Sequence, residues 1–343
     1  MAANNNPFTY GAMIDNPAQF VGRRRELQLV IDRLRAEKPQ GSAIFGERRI
    51  GKSSLLHYLH KPRAEESLRA PDNCVVFYIS ADDGKFSESQ AGFRRALISE
   101  LLAHERTYIG GSTWTDHDLG EAQEVLATGQ PCSWVMAEQV LTSLPYHPVI
   151  CLDEFEALAD PALQDVFDDR FFNALRHWAN EGRVTWITAT RMPLEELNAL
   201  RSISSPFFNL LANIELGGLE PVEVKQLLDR ANTRSDVYGY DFSLEERQRI
   251  KQLGGTHPYH LQIVAAEVWG SKASNMPIDW QEVRDDLYKK LNLQGEYSTR
   301  RYYILSKQDI IIKHNLCFNI VLILIGLLRY IWFHYLTDIL PAS

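Results

Sequence analysis

Short, nearly continuous apolar runs recur along the chain at 43–45, 74–79, 148–152 and 184–189, and 213–216 reads as a fifth strand. Runs without polar alternation suit strands buried on both faces, as in parallel sheets. Between them the apolar positions return every three or four residues. Leu27, Val30, Ile31 and Leu34 share one face of a helix running to about Glu37, Phe93, Leu97 and Leu101 share another over 93–105, and a third helix is expected over 163–180. Strand and helix alternate, the pattern of an α/β domain. From Leu219 the rhythm is helical: Pro221 opens a helix carrying Val224, Leu227, Leu228 and Ala231, 243–246 has capping-box form, and 254–258 breaks the chain before Leu261, Val264 and Val268. The expected division is an extended arm at 1–19, an α/β domain at 20–218, a small helical domain at 219–292 and a tail at 293–343.

The stretch Gly46-Glu47-Arg48-Arg49-Ile50-Gly51-Lys52-Ser53 fits G-x-x-x-x-G-K-[ST], a phosphate-binding loop. It lies between the first strand and a helix beginning at Ser54, the order the chemistry needs. Glycines let the backbone curl so that successive N–H groups face inward, and the helix N-terminus behind them favours an anion. Lys52 is then placed to reach the outer phosphates, and the Ser53 hydroxyl to ligate Mg²⁺. A second landmark is the run at 148–152, which ends in Asp153 and Glu154. At a strand's carboxyl end Asp153 is a candidate Mg²⁺ ligand, and Glu154 a candidate base for the water that attacks the γ-phosphate. A strand followed by a solvated acidic turn would look the same in isolation; the phosphate loop upstream favours the chemical reading. The run at 184–189 leads into Thr190 and Arg191, where a cation can sense the γ-phosphate or simply face water at the start of a helix opened by Pro193.

Composition narrows the picture only slightly. An apolar share of 45 % and a charged share of 23 % are ordinary for a globular protein. The formal net charge of −8 disfavours a surface built wholly for nucleic acid, though a local basic patch stays open. The four cysteines are far apart with no C-x-x-C pair, as expected of reduced thiols in a cytoplasmic protein. The ten histidines lack metal-ligand spacing, and His57 and His60 read as surface residues. Residues 1–6 are polar and do not resemble a signal peptide.

With these motifs in order, the chain resembles the P-loop ATPases of the STAND group (signal transduction ATPases with numerous domains) and, more broadly, AAA+-like ATPases of the origin-recognition type. Phe20-Val21-Gly22-Arg23, with Glu26-Leu27, resembles the family's segment that packs against adenine. Gly46 to Ser53 corresponds to the Walker A loop, 149–154 to the Walker B strand and Thr190-Arg191 to the sensor arginine. Gly255-Thr256-His257-Pro258-Tyr259 is similar to the signature of the helical lid, whose proline lies near the base. The resemblance spans about 7–292. It implies a P-loop NTPase three-layer sandwich with a five-stranded parallel sheet, followed by a helical lid, with ATP or ADP and Mg²⁺ in the cleft. It also implies the site residues: Lys52, Glu154 and Arg191 for catalysis; Gly46, Glu47, Arg48, Arg49, Ile50, Gly51, Lys52, Ser53, Ser54, Phe20, Val21 and Pro258 for the nucleotide; Ser53 and Asp153 for the metal. The chain departs from the STAND pattern in having no recognisable winged helix after 292.

The tail is a separate question. From about Thr299 it lacks Glu and is crowded with Ile, Leu and Tyr. As a helix, 318–336 would span roughly 28 Å, close to a bilayer core of about 30 Å, and Lys307 and Lys313 would keep the ATPase on the cytoplasmic side. Arg329 weighs against insertion, and a buried helix or an accidental tail are the alternatives. The leading functional expectation is an ATP-binding and ATP-hydrolysing switch of the STAND/AAA+ type that self-associates or engages a protein partner when ATP-bound. Alternatives are an AAA+-like ATPase acting on nucleic acid and a non-catalytic, nucleotide-bound scaffold.

Overall fold

A computed structural model describes residues 6–14, 16–60, 68–108, 126–128, 130–201, 206–234 and 241–292. The described residues up to Val283 belong to one compact unit and those from Arg284 to another; the sheet and the site lie in the first. Five parallel strands, β1 (Ser42–Phe45), β2 (Cys74–Ser80), β3 (His147–Asp153), β4 (Thr185–Thr190) and β5 (Ala212–Glu215), lie in the order β2-β3-β4-β1-β5. Each apolar run of the sequence is a strand to within a residue or two. The connecting helices are α1 (Arg24–Leu34), α2 (Lys52–His60), α3 (Gly84–Ser87), α4 (Gln90–Tyr108), α5 (Trp134–Ser143), α6 (Asp169–Asn180) and α7 (Leu194–Arg201). After the sheet come α8 (Pro221–Leu228), α9 (Leu244–Gly254), α10 (Pro258–Ala273) and α11 (Trp280–Asn292), the last crossing into the second unit.

Alternation within each strand divides the core into two faces. Ala43, Ile150, Leu152 and Trp186 pack with Phe93 and Leu97 of α4, Val140 of α5 and Phe171 and Trp178 of α6. Their neighbours Ile44, Val149, Cys151 and Ile187 face the other way, onto Leu27 and Ile31 of α1 and Leu55 and Leu56 of α2. The result is the expected three-layer sandwich. The first face is aromatic: the Phe171 ring lies 5.1 Å from Phe93, 4.7 Å from Phe167 and 5.2 Å from Phe172, all in edge-to-face contact.

Several expectations are corrected. The helix expected from 163 begins at Asp169, because the Asp168 side chain accepts the Phe171 N–H and so caps it, while Pro161–Leu163 is a separate 3-10 turn. Helix α1 stops at Leu34 rather than near Glu37, and α4 is longer than expected at both ends. His57 is buried, its ring 5.3 Å from that of Tyr78, because α2 lies against β2. The N-terminal arm is not free of the fold: Phe8 is 3 % exposed. Cys74, Cys132 and Cys151 are buried. Among the described residues no helix is long and apolar enough to cross a membrane. The apolar C-terminal helix expected at 318–336 lies outside the described residues.

The aromatic face yields a stability test. Phe171→Ala removes a ring in contact with at least three others, and truncating a buried Phe costs about 3–5 kcal/mol. Val222, 61 % exposed on α8, should tolerate Ala within about 0.5 kcal/mol. Urea unfolding of both variants checks the contrast.

Candidate functional site

Strand β1 lies inside the sheet, and the chain leaves it directly into the loop 46–51 and then α2. The turn depends on glycine at Gly46, where φ is +155° and a Cβ would lie 2.5 Å from the Leu216 carbonyl oxygen. Arg49 holds a left-handed backbone (φ 59°), and Gly51 is also at positive φ, 107°. The curl brings Lys52 back over the loop: its Nζ donates to the carbonyls of Gly46 (2.9 Å) and Glu47 (3.0 Å). The side chain is 8 % exposed. Burial lowers its pKa, opposed by the charges of Glu156, Glu154 and Asp153. Ser53 follows on the first turn of α2. The Ser54 hydroxyl turns to the arm and accepts the Ile14 N–H at 3.1 Å.

The carboxyl ends of β3 and β4 lie at the same edge of the sheet. Asp153 is 3 % exposed. One carboxylate oxygen accepts the Tyr78 hydroxyl at 2.8 Å and the other the Glu154 N–H at 3.0 Å. Burial, and then Asp153, push the Tyr78 phenol far upward, so it stays protonated as a donor. Glu154 takes a left-handed conformation (φ 48°) and its carboxylate is 3.6 Å from Arg191 Nη2. Arg191 Nε lies 3.3 Å from Glu156, a residue the motifs did not single out. Both Glu156 carboxylate oxygens are buried, and neither makes an aligned hydrogen bond. Burial, with Glu154 adding repulsion, pushes the Glu156 pKa up to about 7.

A cavity of about 320 Å³ opens over this edge. One end is lined by residues 48–54 together with Glu154 and Arg191; the other, more apolar, by Phe20, Val21, Leu219, Leu227, Pro258 and Tyr259. Gly46, Glu47 and Asp153 do not line it; they act on Lys52 and Glu154 from behind. Phe20 stacks on Tyr58 of α2 at 4.4 Å. Three contributors were not legible as site residues: the arm at 9–14, Gln262 of α10 and Arg230, a buried cation whose pKa burial lowers to about 10. Next to the loop, His257 at the start of α10 is pushed down to about 3 by burial and by His260.

Arg23 ties these parts together. It is 3 % exposed, and its Nη2 donates to Ile50 O in the loop (2.9 Å) and to Gly217 O beyond β5 (2.7 Å). Its backbone N–H donates to Glu223 Oε1 of α8 at 2.6 Å, and Glu26 lies 3.6 Å from Nη1. Burial still lowers its pKa, though Glu26 and Glu223 pull it up.

Glu156 carries a pH dependence of definite sign. With its pKa raised from 4.5 to about 7, it binds a proton more tightly folded than unfolded. Its contribution to stability is complete below the unfolded value and is lost as pH rises through the folded one. Glu156→Gln removes that loss. The Tm of the variant minus that of wild type should therefore rise between about pH 5 and about pH 8; a difference independent of pH would show that the proton is not held there.

Residues 35–198 match the AAA domain family model. No curated protein matches the sequence. Among solved structures, the Walker-type ATPase PABY2304 of Pyrococcus abyssi is similar with a TM-score of 0.60 at 13 % identity, over 85 % of this chain and 79 % of that one. The ORC2 protein of Aeropyrum pernix, in its ADPNP–ADP complexes, is similar with a TM-score of 0.50 at 14 % identity, over 84 % and 72 %. At such identities the likeness is one of fold. Together with the phosphate loop at the carboxyl edge of this five-stranded sheet, the match shows that the chain carries an AAA+-like P-loop ATPase domain.

Proposed function

We propose that this protein binds ATP with Mg²⁺ and hydrolyses it, and that the nucleotide state controls self-association or engagement of a protein partner. The observation that carries the reading is Lys52: a buried ammonium held by two neutral loop carbonyls, at a helix N-terminus, within reach of Asp153 at the end of β3 and of Glu154 and Glu156 after it. A desolvated cation in that setting suits an anionic ligand. The phosphates would lie along the backbone of 48–53, and Lys52 would exchange its two carbonyl contacts for phosphate oxygens.

The donor set also suits a magnesium ion. Ser53 lines the cavity and offers a hard oxygen ligand, and Asp153 behind it would hold the ion through water, each of its oxygens keeping a lone pair beyond its single hydrogen bond. Bound Mg²⁺ would neutralise charge on the phosphate oxygens. Tyr78 orients Asp153 for that role. Glu154, at its left-handed turn, would accept the proton of the attacking water. Arg191 is 56 % exposed and can swing from Glu154 and Glu156 towards the γ-phosphate. The apolar end of the cavity, with Phe20, Val21 and Pro258, suits the base.

Two substitutions separate binding from chemistry. Lys52→Ala should abolish most ATP affinity, read with a fluorescent analogue, whereas Glu154→Gln should keep it and slow phosphate release about 10²-fold or more. Unchanged hydrolysis by the Glu154 variant would move the base elsewhere, and wild-type binding by the folded Lys52 variant would sink the phosphate-loop reading. The switch itself is tested by light scattering: the particle mass, or the set of co-purifying proteins, should differ between ADP and a non-hydrolysable ATP analogue.

A further inference from the structure

We propose that the N-terminal arm, residues 6–14, is a detachable wall of the nucleotide cleft that retains the base and ribose. The inference rests on the nucleotide reading above and adds to it an element outside every motif. The arm crosses the cleft from α10 to α2. At its start, Asn6 Nδ2 donates to Ala266 O at 3.0 Å, and Phe8 stacks on Phe242 with ring centres 5.6 Å apart. The Thr9 N–H donates to Gln262 Oε1 at 3.2 Å, and the Tyr10 ring meets Tyr259 edge-on at 6.3 Å. At its end, the Ile14 N–H reaches the Ser54 hydroxyl at 3.1 Å, one residue beyond the Ser53 of the phosphate loop. Residues 9–14 line the cavity along the way.

The chemistry of the arm says which part of a ligand it faces. Residues 6–14 hold no charged side chain, and the lining part offers peptide groups and the side chains of Ala12, Met13 and Ile14. That surface suits an uncharged ring and sugar; the phosphates are served by the Lys52 end. The hydrogen bonds of the arm at Asn6, Thr9 and Ile14 join neutral groups and are half-buried, so the arm can leave without unfolding the sheet. A link to the phosphate end also exists. Arg49, held at positive φ in the loop, donates to Tyr10 O at 3.4 Å and covers the Tyr259 ring at 4.4 Å.

The test uses full-length protein with Phe8→Ala, which loosens the arm from outside the cavity, Tyr10→Ala, and Phe8→Leu as the conservative control. Melting curves establish that each is folded. Two probes are measured: release of a fluorescent ATP analogue by stopped flow, and affinity for inorganic tripolyphosphate by calorimetry. Both alanine variants should release the analogue about tenfold faster or more, a change of the size expected from losing one or two contacts, while tripolyphosphate affinity stays at the wild-type value. Phe8→Leu should restore slow release. Wild-type release rates in the alanine variants would overturn the arm's role and leave the nucleotide reading standing. Parallel loss of tripolyphosphate would overturn it too, by placing the arm's effect on the loop. A wild-type protein that binds neither probe would remove the nucleotide reading itself.

Discussion

One buried guanidinium, that of Arg23, holds the cleft together. Removing a cation from water is unfavourable, and here it is offset by two carbonyls from distant segments and by the nearby Glu26. The demand runs both ways. Ile50 O and Gly217 O belong to the phosphate loop and to the segment after β5, which the sheet alone would not keep in register. Glu223 extends the link to α8 by accepting both the Arg23 N–H and the Glu220 N–H at its own helix start. Space is scarce at this junction: a Cβ on Gly22, at φ +75°, would lie 2.6 Å from Glu223 Cδ. The phosphate loop, the sheet edge and the helical segment are therefore joined through one residue, by its guanidinium and its backbone N–H.

Around that junction the charges balance only partly. Lys52 and Arg191 face Asp153, Glu154 and Glu156, one carboxylate in excess. Burial, with Glu154 adding repulsion, is why Glu156 keeps its proton up to a higher pH than an ordinary carboxylate. Arg191 is shared between Glu154 and Glu156 and aligned closely with neither, a geometry that leaves it ready to change partners.

Much of the fold was legible in the sequence because its causes are local. A strand buried on both faces needs an unbroken apolar run, as 148–152 shows, and a backbone that curls round an anion needs glycines at fixed offsets, as 46–51 shows. Asp153 and Glu154 follow from their place at the end of such a run. What escaped depends on distance or burial. The arm has no periodicity, and its partners Gln262 and Ala266 lie 253 and 260 residues away in the chain. Glu156 and Arg230 look like ordinary surface charges until their burial is known. His57 was read from its type alone, though it lies on the side of α2 that meets β2. The start of α6 was a missed signal of another kind, since Asp168 stood in the sequence as a usable cap.

The hydrogen bonds of Lys52 to Gly46 and Glu47 also bear on the thermodynamics of ligand capture. The Lys52 ammonium is already internally satisfied, so on meeting an anion it swaps one set of hydrogen bonds for another rather than adding a set. Such an exchange leaves little trace in heat capacity. The apolar end of the cavity, by contrast, loses hydrated surface when covered, and burial of apolar surface lowers heat capacity. The temperature dependence of affinity would then be written almost entirely by the nucleoside end, and the inorganic phosphate chain would bind with an enthalpy that scarcely varies with temperature.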